Sequence, residues 1–300
     1  MSWRNWLTLL LLGAIWGGSF LFAKVAVAEI PPLVLVFLRV CLAAIALHCV
    51  LRLTGKRFPL EPRLLGAFLV MGLLNNAIPF SLIFWGQTAI AAGLASILNA
   101  TTPIFTFLVA AVVLRQEPVR FHRIAGVLTG FGGVLLMLFQ SLGQPGHDPL
   151  WAQLACLGAA VSYALAAAFA RRFKHLPPLV SATGQLSGST LIMLPMAMIF
   201  GAGWSPLETS GFVWMNVLAL GLLATAFAYL LYFRLLAEAG ATNASLVTLL
   251  VPASAILFGS LLLGEALKTY QFGGFGLLLA GLLLLDGRIL SPFMKAKRAA

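Results

Sequence analysis

Ten apolar runs follow one another along this chain, each long enough to cross a bilayer. They lie at about 6–29, 33–51, 64–85, 93–114, 124–141, 150–170, 179–200, 212–233, 242–262 and 271–287. A spanning helix needs about 20 such residues, because hydrocarbon offers no partner to a backbone N–H or C=O. Apolar residues make up 61% of the 300 and charged ones only 9%, against about 25% charged in a soluble domain. No globule of this size hides that much apolar surface. A soluble enzyme and a disordered chain are excluded. The prediction is an all-α integral membrane protein of ten transmembrane helices, with the lipid bilayer as its constant partner. Leu7 onward reads as a first span and not as a removed signal.

The net charge of +11 does not point to nucleic acid, because the basic residues recur in short groups between apolar runs. Arg4, the group Arg52, Lys56, Arg57 and Arg63, the group Arg115, Arg120 and Arg123, the group Arg171, Arg172 and Lys174, then Arg234, and finally Arg288, Lys295, Lys297 and Arg298 all fall on one side. Of the opposite loops' charges only Lys268 is basic, beside Glu29, Asp148, Glu208 and Glu265. The positive-inside rule places both termini in the cytoplasm. Cys41, Cys49 and Cys156 all lie in apolar runs with no paired spacing and read as small packing residues.

The chain repeats itself. Ala14-Ile15-Trp16 through Lys24 answers to Val161-Ser162-Tyr163 through Arg171 at an offset of 147, and Pro31-Pro32 to Pro177-Pro178 at 146. Gly72-Leu73-Leu74, Ala95-Ser96 and Pro103 answer to Gly221-Leu222-Leu223, Ala244-Ser245 and Pro252 at 149. Glu117, Gly126 and Gly133 answer to Glu265, Gly274 and Gly281 at 148. Residues 1–143 and 144–300 thus form two copies of one five-span unit. Five is odd, so the second copy enters the membrane from the opposite side. Two such inverted halves can exchange conformations and turn a cavity from one face to the other, which points to alternating-access transport.

The segments Ala14-Ile15-Trp16-Gly17-Gly18-Ser19-Phe20, Ala92-Gly93-Leu94-Ala95-Ser96, Gly221-Leu222-Leu223-Ala224-Thr225-Ala226-Phe227-Ala228-Tyr229 and Leu263-Gly264-Glu265, with Pro103, Glu117 and Pro252, resemble the EamA-type branch of the drug/metabolite transporter superfamily. The narrower likeness is to YddG-like amino-acid exporters. The resemblance covers nearly the whole chain. It implies a bacterial inner-membrane carrier with a cavity between its halves, exporting amino acids, aromatic ones included, or related metabolites as small-molecule substrates. Export of other metabolites or drugs is the neighbouring alternative. An ion channel is further off, because no ring of like charges or filter-like loop is visible.

The candidate substrate-binding residues are Trp16, Asn75, Asn76, Phe80, Asn99, Tyr163, Tyr229 and Arg39. Ser96, Asn99, Pro103 and Thr106 share one helical face, whose use is helix–helix adhesion or a cavity wall. Asn75 and Asn76 are adjacent amides that diverge by about 100° on a helix, and their counterparts Ala224 and Thr225 break the symmetry. Trp16 and Tyr163 are matched and too deep for an interfacial belt, as are Phe80 and Tyr229; core packing and ligand stacking both fit them. Arg39 has no acid at its depth, which leaves backbone carbonyls or a substrate carboxylate as partners. Lys24 can snorkel, with Glu29 within reach.

An enzyme is not expected. Gly184-Gln185-Leu186-Ser187-Gly188 is no nucleophile elbow, His48 has no evident Ser or Asp partner, and no cluster has metal spacing. No cofactor is implied. Gly13-x3-Gly17 and Gly126-x3-Gly130 are close-packing signals, open to use inside the bundle or at a homodimer face.

Overall fold

The computed structural model describes residues 1–140 and 148–287. The expected repeat boundary at 143/144, the end of the fifth run at 141, and the basic residues Arg288, Lys295, Lys297 and Arg298 lie outside the described residues. Among the described residues, nine helices are long and apolar enough to cross a membrane: α1 (Trp3–Ala26), α2 (Pro32–Leu53), α3 (Pro62–Gln87), α4 (Ala92–Val113), α5 (Phe121–Gln140), α6 (Leu150–Phe173), α7 (Pro178–Phe200), α8 (Gly211–Ala239) and α10 (Thr269–Asp286). The remaining apolar run forms α9 in two pieces, Ala241–Ala244 and Val247–Leu263.

Local chemistry explains the boundaries. Proline opens α2, α3 and α7, where its missing N–H costs nothing and its φ is already helical. Ser2 caps α1, its hydroxyl accepting from Asn5 N at 3.2 Å. The main departure from expectation is α8, which runs six residues beyond position 233. Arg234, expected in a loop, is on the helix and donates from Nε to Glu238 at 2.8 Å. An i,i+4 ion pair of this kind supports turns outside the apolar stretch. Large apolar side chains such as Leu128, Phe139, Leu191 and Met198 face outward, as lipid exposure requires.

The helix partners obey the repeat. α5 packs along α10; α1 lies along α9 and against α8; α6 lies along α3 and α4; α2 packs on α7. At the α5–α10 seam, a Cβ on Gly126 would sit 2.7 Å from the Gly281 carbonyl oxygen, and one on Gly274 would sit 2.8 Å from that of Gly133. Under the repeat offset of 148, Gly126 becomes Gly274 and Gly281 becomes Gly133, so the two contacts are one contact seen twice. That is the signature of a two-fold axis relating the halves. The other small-residue signal is also spent inside the bundle. A Cβ on Gly13 would sit 2.7 Å from Leu250 Cβ, and one on Gly17 would sit 2.8 Å from Ala255 N, while Ser254 Oγ donates to the Gly13 carbonyl at 2.8 Å.

Candidate substrate cavity

Between the set α1, α8 and α9 and the matched set α3, α4 and α6 lies a cavity of about 760 Å³. Its lining starts at Gln87, wholly buried at the end of α3, and extends to Lys174, Leu176 and Pro178 in the α6–α7 turn. The cavity is therefore closed at the face carrying the α3–α4 turn and opens toward the face carrying the basic loops.

The helices that wall it are irregular at matched places. α3 widens to i→i+5 hydrogen bonding over Leu73–Ala77, and α8 does so over Ala219–Phe227; the repeat offset of 149 lays the first segment inside the second. Wide turns of this kind release carbonyls and re-aim side chains, and recur at functional sites. In α8, Thr225 Oγ1 donates to the Leu220 carbonyl five residues back at 2.8 Å. α4 is interrupted at Ala100–Thr101, just before Pro103, as a proline that lacks an N–H dictates. In α9 the matched Pro252 stays inside a continuous helix and the break falls earlier, at Ser245–Leu246. The two halves are thus alike in fold and unlike in shape.

Seven of the eight candidates line the cavity: Trp16, Arg39, Asn75, Phe80, Asn99, Tyr163 and Tyr229. Asn76 does not. It is fully buried, donates to Ser189 Oγ at 2.9 Å and accepts from the Tyr229 hydroxyl at 3.3 Å. Its neighbour Asn75 donates to Gln185 Oε1 at 2.9 Å and to the Tyr229 oxygen at 3.4 Å. The adjacent amides tie α3 to α7 and α8, with Asn75 at the wall and Asn76 behind it. Trp16 stacks obliquely on Tyr232 at 5.5 Å. Of the polar face of α4, Ser96, Asn99 and Pro103 reach the cavity, while Thr106 turns its hydroxyl to the Thr102 carbonyl.

Arg39 is the buried charge of the site. Its Nε donates to Thr225 Oγ1 at 2.9 Å, and its guanidinium lies 3.8 Å above the centre of the Phe80 ring. A side chain rather than a backbone carbonyl is its protein partner. The ring face supplies the cation with negative charge density where no carboxylate is present. The remaining guanidinium N–H groups have no acceptor among the described residues. Three acceptors are free in the same lining: Gln87 Oε1, Asn99 Oδ1 and Ser181 Oγ are buried without a partner. Arg39 and Lys174 are the charged residues of the wall, and no carboxylate joins them among the described residues. Such a wall offers cationic donors to a carboxylate, and its residues carry neutral oxygens that no protein donor uses.

Gln87, Ser181 and Gln185 also line the cavity, and none is a candidate from the sequence alone. Gln185 had a signal: the offset of 146 that joins Pro31 to Pro177 also joins Arg39 to Gln185. Arg39 on Thr225 and Gln185 on Asn75 are accordingly related polar pairs, α2 with α8 and α7 with α3, although Thr225 answers to Asn76 and the second bond is made one residue earlier. Two further expectations need correction. Lys24 does not snorkel toward Glu29; it donates to the carbonyls of Gln87 and Ile90 at 2.8 and 2.9 Å, and Glu29 accepts from Ser210 N and Oγ at 2.7 and 2.8 Å. Carbonyls at a helix end lack intrahelical partners, so they bind a cation better than a distant loop acid does. His48 does have a serine partner, with Nε2 2.9 Å from Ser187 Oγ. That hydroxyl is given to the Thr183 carbonyl at 2.9 Å, so it accepts from the imidazole and is no activated nucleophile.

Known proteins place this architecture. An 18%-identical crystal structure superposes with a TM-score of 0.68 over 98% of this chain and 99% of its own, a likeness of fold. The chain is 27% identical to the uncharacterized transporter YoaV of Bacillus subtilis, covering 95% of each. It is 26% identical to the uncharacterized inner membrane transporter YedA of Escherichia coli, covering 93% of this chain and 89% of that one. It is also 28% identical to a probable amino-acid metabolite efflux pump of Salmonella typhimurium, covering 94% of each. The model of the EamA-like transporter family matches twice, at residues 4–139 and 150–285, once over each five-span half. This multi-pass membrane protein, a drug/metabolite transporter built of two repeats around one cavity, belongs to the EamA-like transporter family.

Proposed function

We propose that the protein exports amino acids, aromatic ones included, and related metabolites across a bacterial inner membrane by alternating access, its two units being residues 1–143 and 144–300. The observation that carries this reading is the guanidinium of Arg39, seated on Phe80 with donors to spare, in a cavity that also holds unpartnered neutral acceptors. A zwitterion with an apolar side chain matches that set. Its carboxylate meets Arg39, its ammonium meets amide and hydroxyl oxygens, and its side chain lies among Trp16, Phe80, Tyr163 and Tyr229. The similarity to an amino-acid metabolite efflux pump supports the same substrate class. Basic loops put the open face in the cytoplasm, from which an exporter loads.

The test is counterflow of radiolabelled amino acids into liposomes containing the purified protein. Saturable exchange of aromatic amino acids is expected; exchange of other metabolites with none of the amino acids would move the protein to the neighbouring drug or metabolite exporters. A reporter fused after Ala300 should be active only in a cytosolic format, and activity of a periplasmic reporter would invert the topology.

A further inference from the structure

The groups that close the cavity come from opposite helix sets and sit at one face. Lys24 of α1 holds the Gln87 and Ile90 carbonyls of α3, and Gln87 Nε2 returns a bond to the Phe20 carbonyl of α1 at 2.8 Å. Glu265, in the α9–α10 turn, accepts the Ala92 N–H of α4 on both carboxylate oxygens, at 3.0 and 2.9 Å. Ala91, the residue before α4, has no side chain to make that bond. A carboxylate from the other set therefore does the work of an N-cap, favoured by the helix dipole. The turn Gln87–Ala92 is gripped by a cation at its carbonyls and an anion at its amide.

The repeat supplies a mate for each part. Lys24 answers to Arg171, Glu265 to Glu117, and the turn Gln87–Ala92 to the segment Leu236–Ala241. At the open face these mates are apart. Glu117 is paired with Arg123 in its own half, and Arg171 is exposed. One face is latched, and the parts of the same latch lie undone at the other.

We propose that Glu265 and Glu117 are alternating latches that set which way the cavity faces. Glu265 on Ala92 holds the face opposite the basic loops shut. When the cavity turns outward, Glu265 lets go, Glu117 leaves Arg123 for the α8–α9 turn, and Arg171 takes the carbonyls there as Lys24 does now. The proposal rests on the alternating-access reading above and adds the residues that bias it.

The experiment measures labelling of Ile83→Cys, a buried wall position near the closed face, in the full chain with Cys41, Cys49 and Cys156 replaced by alanine. A membrane-impermeant maleimide is applied from the face opposite the basic loops. Loss of a cap of this kind shifts a two-state ratio by about 5- to 30-fold. Glu265→Ala should raise the labelling rate by such a factor, Glu117→Ala should lower it, and the double variant should return it toward the parent. No response to either change, or a shift in the same direction for both, would overturn the latch. So would a rise in Glu265→Ala that the double variant fails to reverse, which is what simple loosening produces. Counterflow on the same preparations separates the two readings. Amino-acid exchange with unresponsive labelling overturns the latch alone, and opposed labelling shifts without exchange support the latch while removing the substrate assignment.

Discussion

Replacing Arg39 by methionine removes the charge while leaving an unbranched side chain to lie on Phe80, so it separates substrate recognition from packing. Thr225 keeps its bond to the Leu220 carbonyl, and no protein carboxylate loses a partner, since none lines the cavity among the described residues. The fold should therefore survive with little loss. What goes, besides the Nε bond to Thr225 and the cation's attraction to the Phe80 ring, is the set of N–H groups that no protein atom uses. A hydrogen bond to a charged group is worth about 1.5–3 kcal/mol, and every 1.4 kcal/mol is about tenfold in affinity. KM for an amino acid in counterflow should rise by about 10- to 150-fold. A substrate analogue in which an amide replaces the carboxylate should be affected less, because its neutral carbonyl accepts a hydrogen bond from Arg39 but forms no ion pair with it. If Arg39→Met transports amino acids with an unchanged KM, the guanidinium is a structural strut between α2 and α8 and the carboxylate has to be held elsewhere.

Asn76→Ala should lower thermal stability in detergent by about 1–3 kcal/mol, since it leaves the Tyr229 O–H without its acceptor and removes the amide bond to Ser189 Oγ; an unchanged melting temperature would return Asn76 to the substrate wall. Asn99→Ala should do the reverse, altering transport with the melting temperature intact, because its oxygen has no protein partner to strand. Gly281→Ala puts a methyl group 2.5 Å from Gly130 N and should destabilise the α5–α10 seam by about 1–3 kcal/mol, read from the same melts; a neutral effect would mean that this seam is loose. An imposed pH gradient alone should not drive concentrative uptake, and uptake that it does drive, abolished by Glu117→Gln or Glu265→Gln, would show that one of these acids carries a proton.

The apolar runs and the two-repeat organisation were legible because both follow from the order of residues along the chain. Apolar length, charge alternation and self-similarity need no knowledge of neighbours in space. The partners of individual polar groups were not legible, because they are set by which helices cross. Lys24 was read against Glu29, five residues away, whereas the fold brings it to carbonyls 63 and 66 residues along the chain. Asn75 and Asn76 looked equivalent, and only the placement of α7 and α8 turns one to the cavity and the other to Ser189. The wide turns in α3 and α8 have no composition of their own. The repeat was the part of the sequence with more to give, since applying its offset to Arg39 leads directly to Gln185.

The distribution of charge ties these observations together. A carboxylate in hydrocarbon is expensive unless paired, and these paired acids sit at helix ends or in turns: Glu29 on Ser210, Glu265 on Ala92, Glu117 on Arg123, Glu238 on Arg234, and Asp148 beside Gln271 and Lys268. There the dipole of a helix start or a neighbouring cation meets the cost. Among the described residues the cavity wall carries only positive charge, at Arg39 deep inside and Lys174 at the mouth. A bound carboxylate would thus complete a site that the protein leaves electrostatically unbalanced, and no wall acid competes with it for Arg39. Under the two proposals, acids bias which face is closed and cations choose what enters, so substitutions at Glu265 and at Arg39 should act on separable quantities, the first on the ratio of states and the second on affinity within a state.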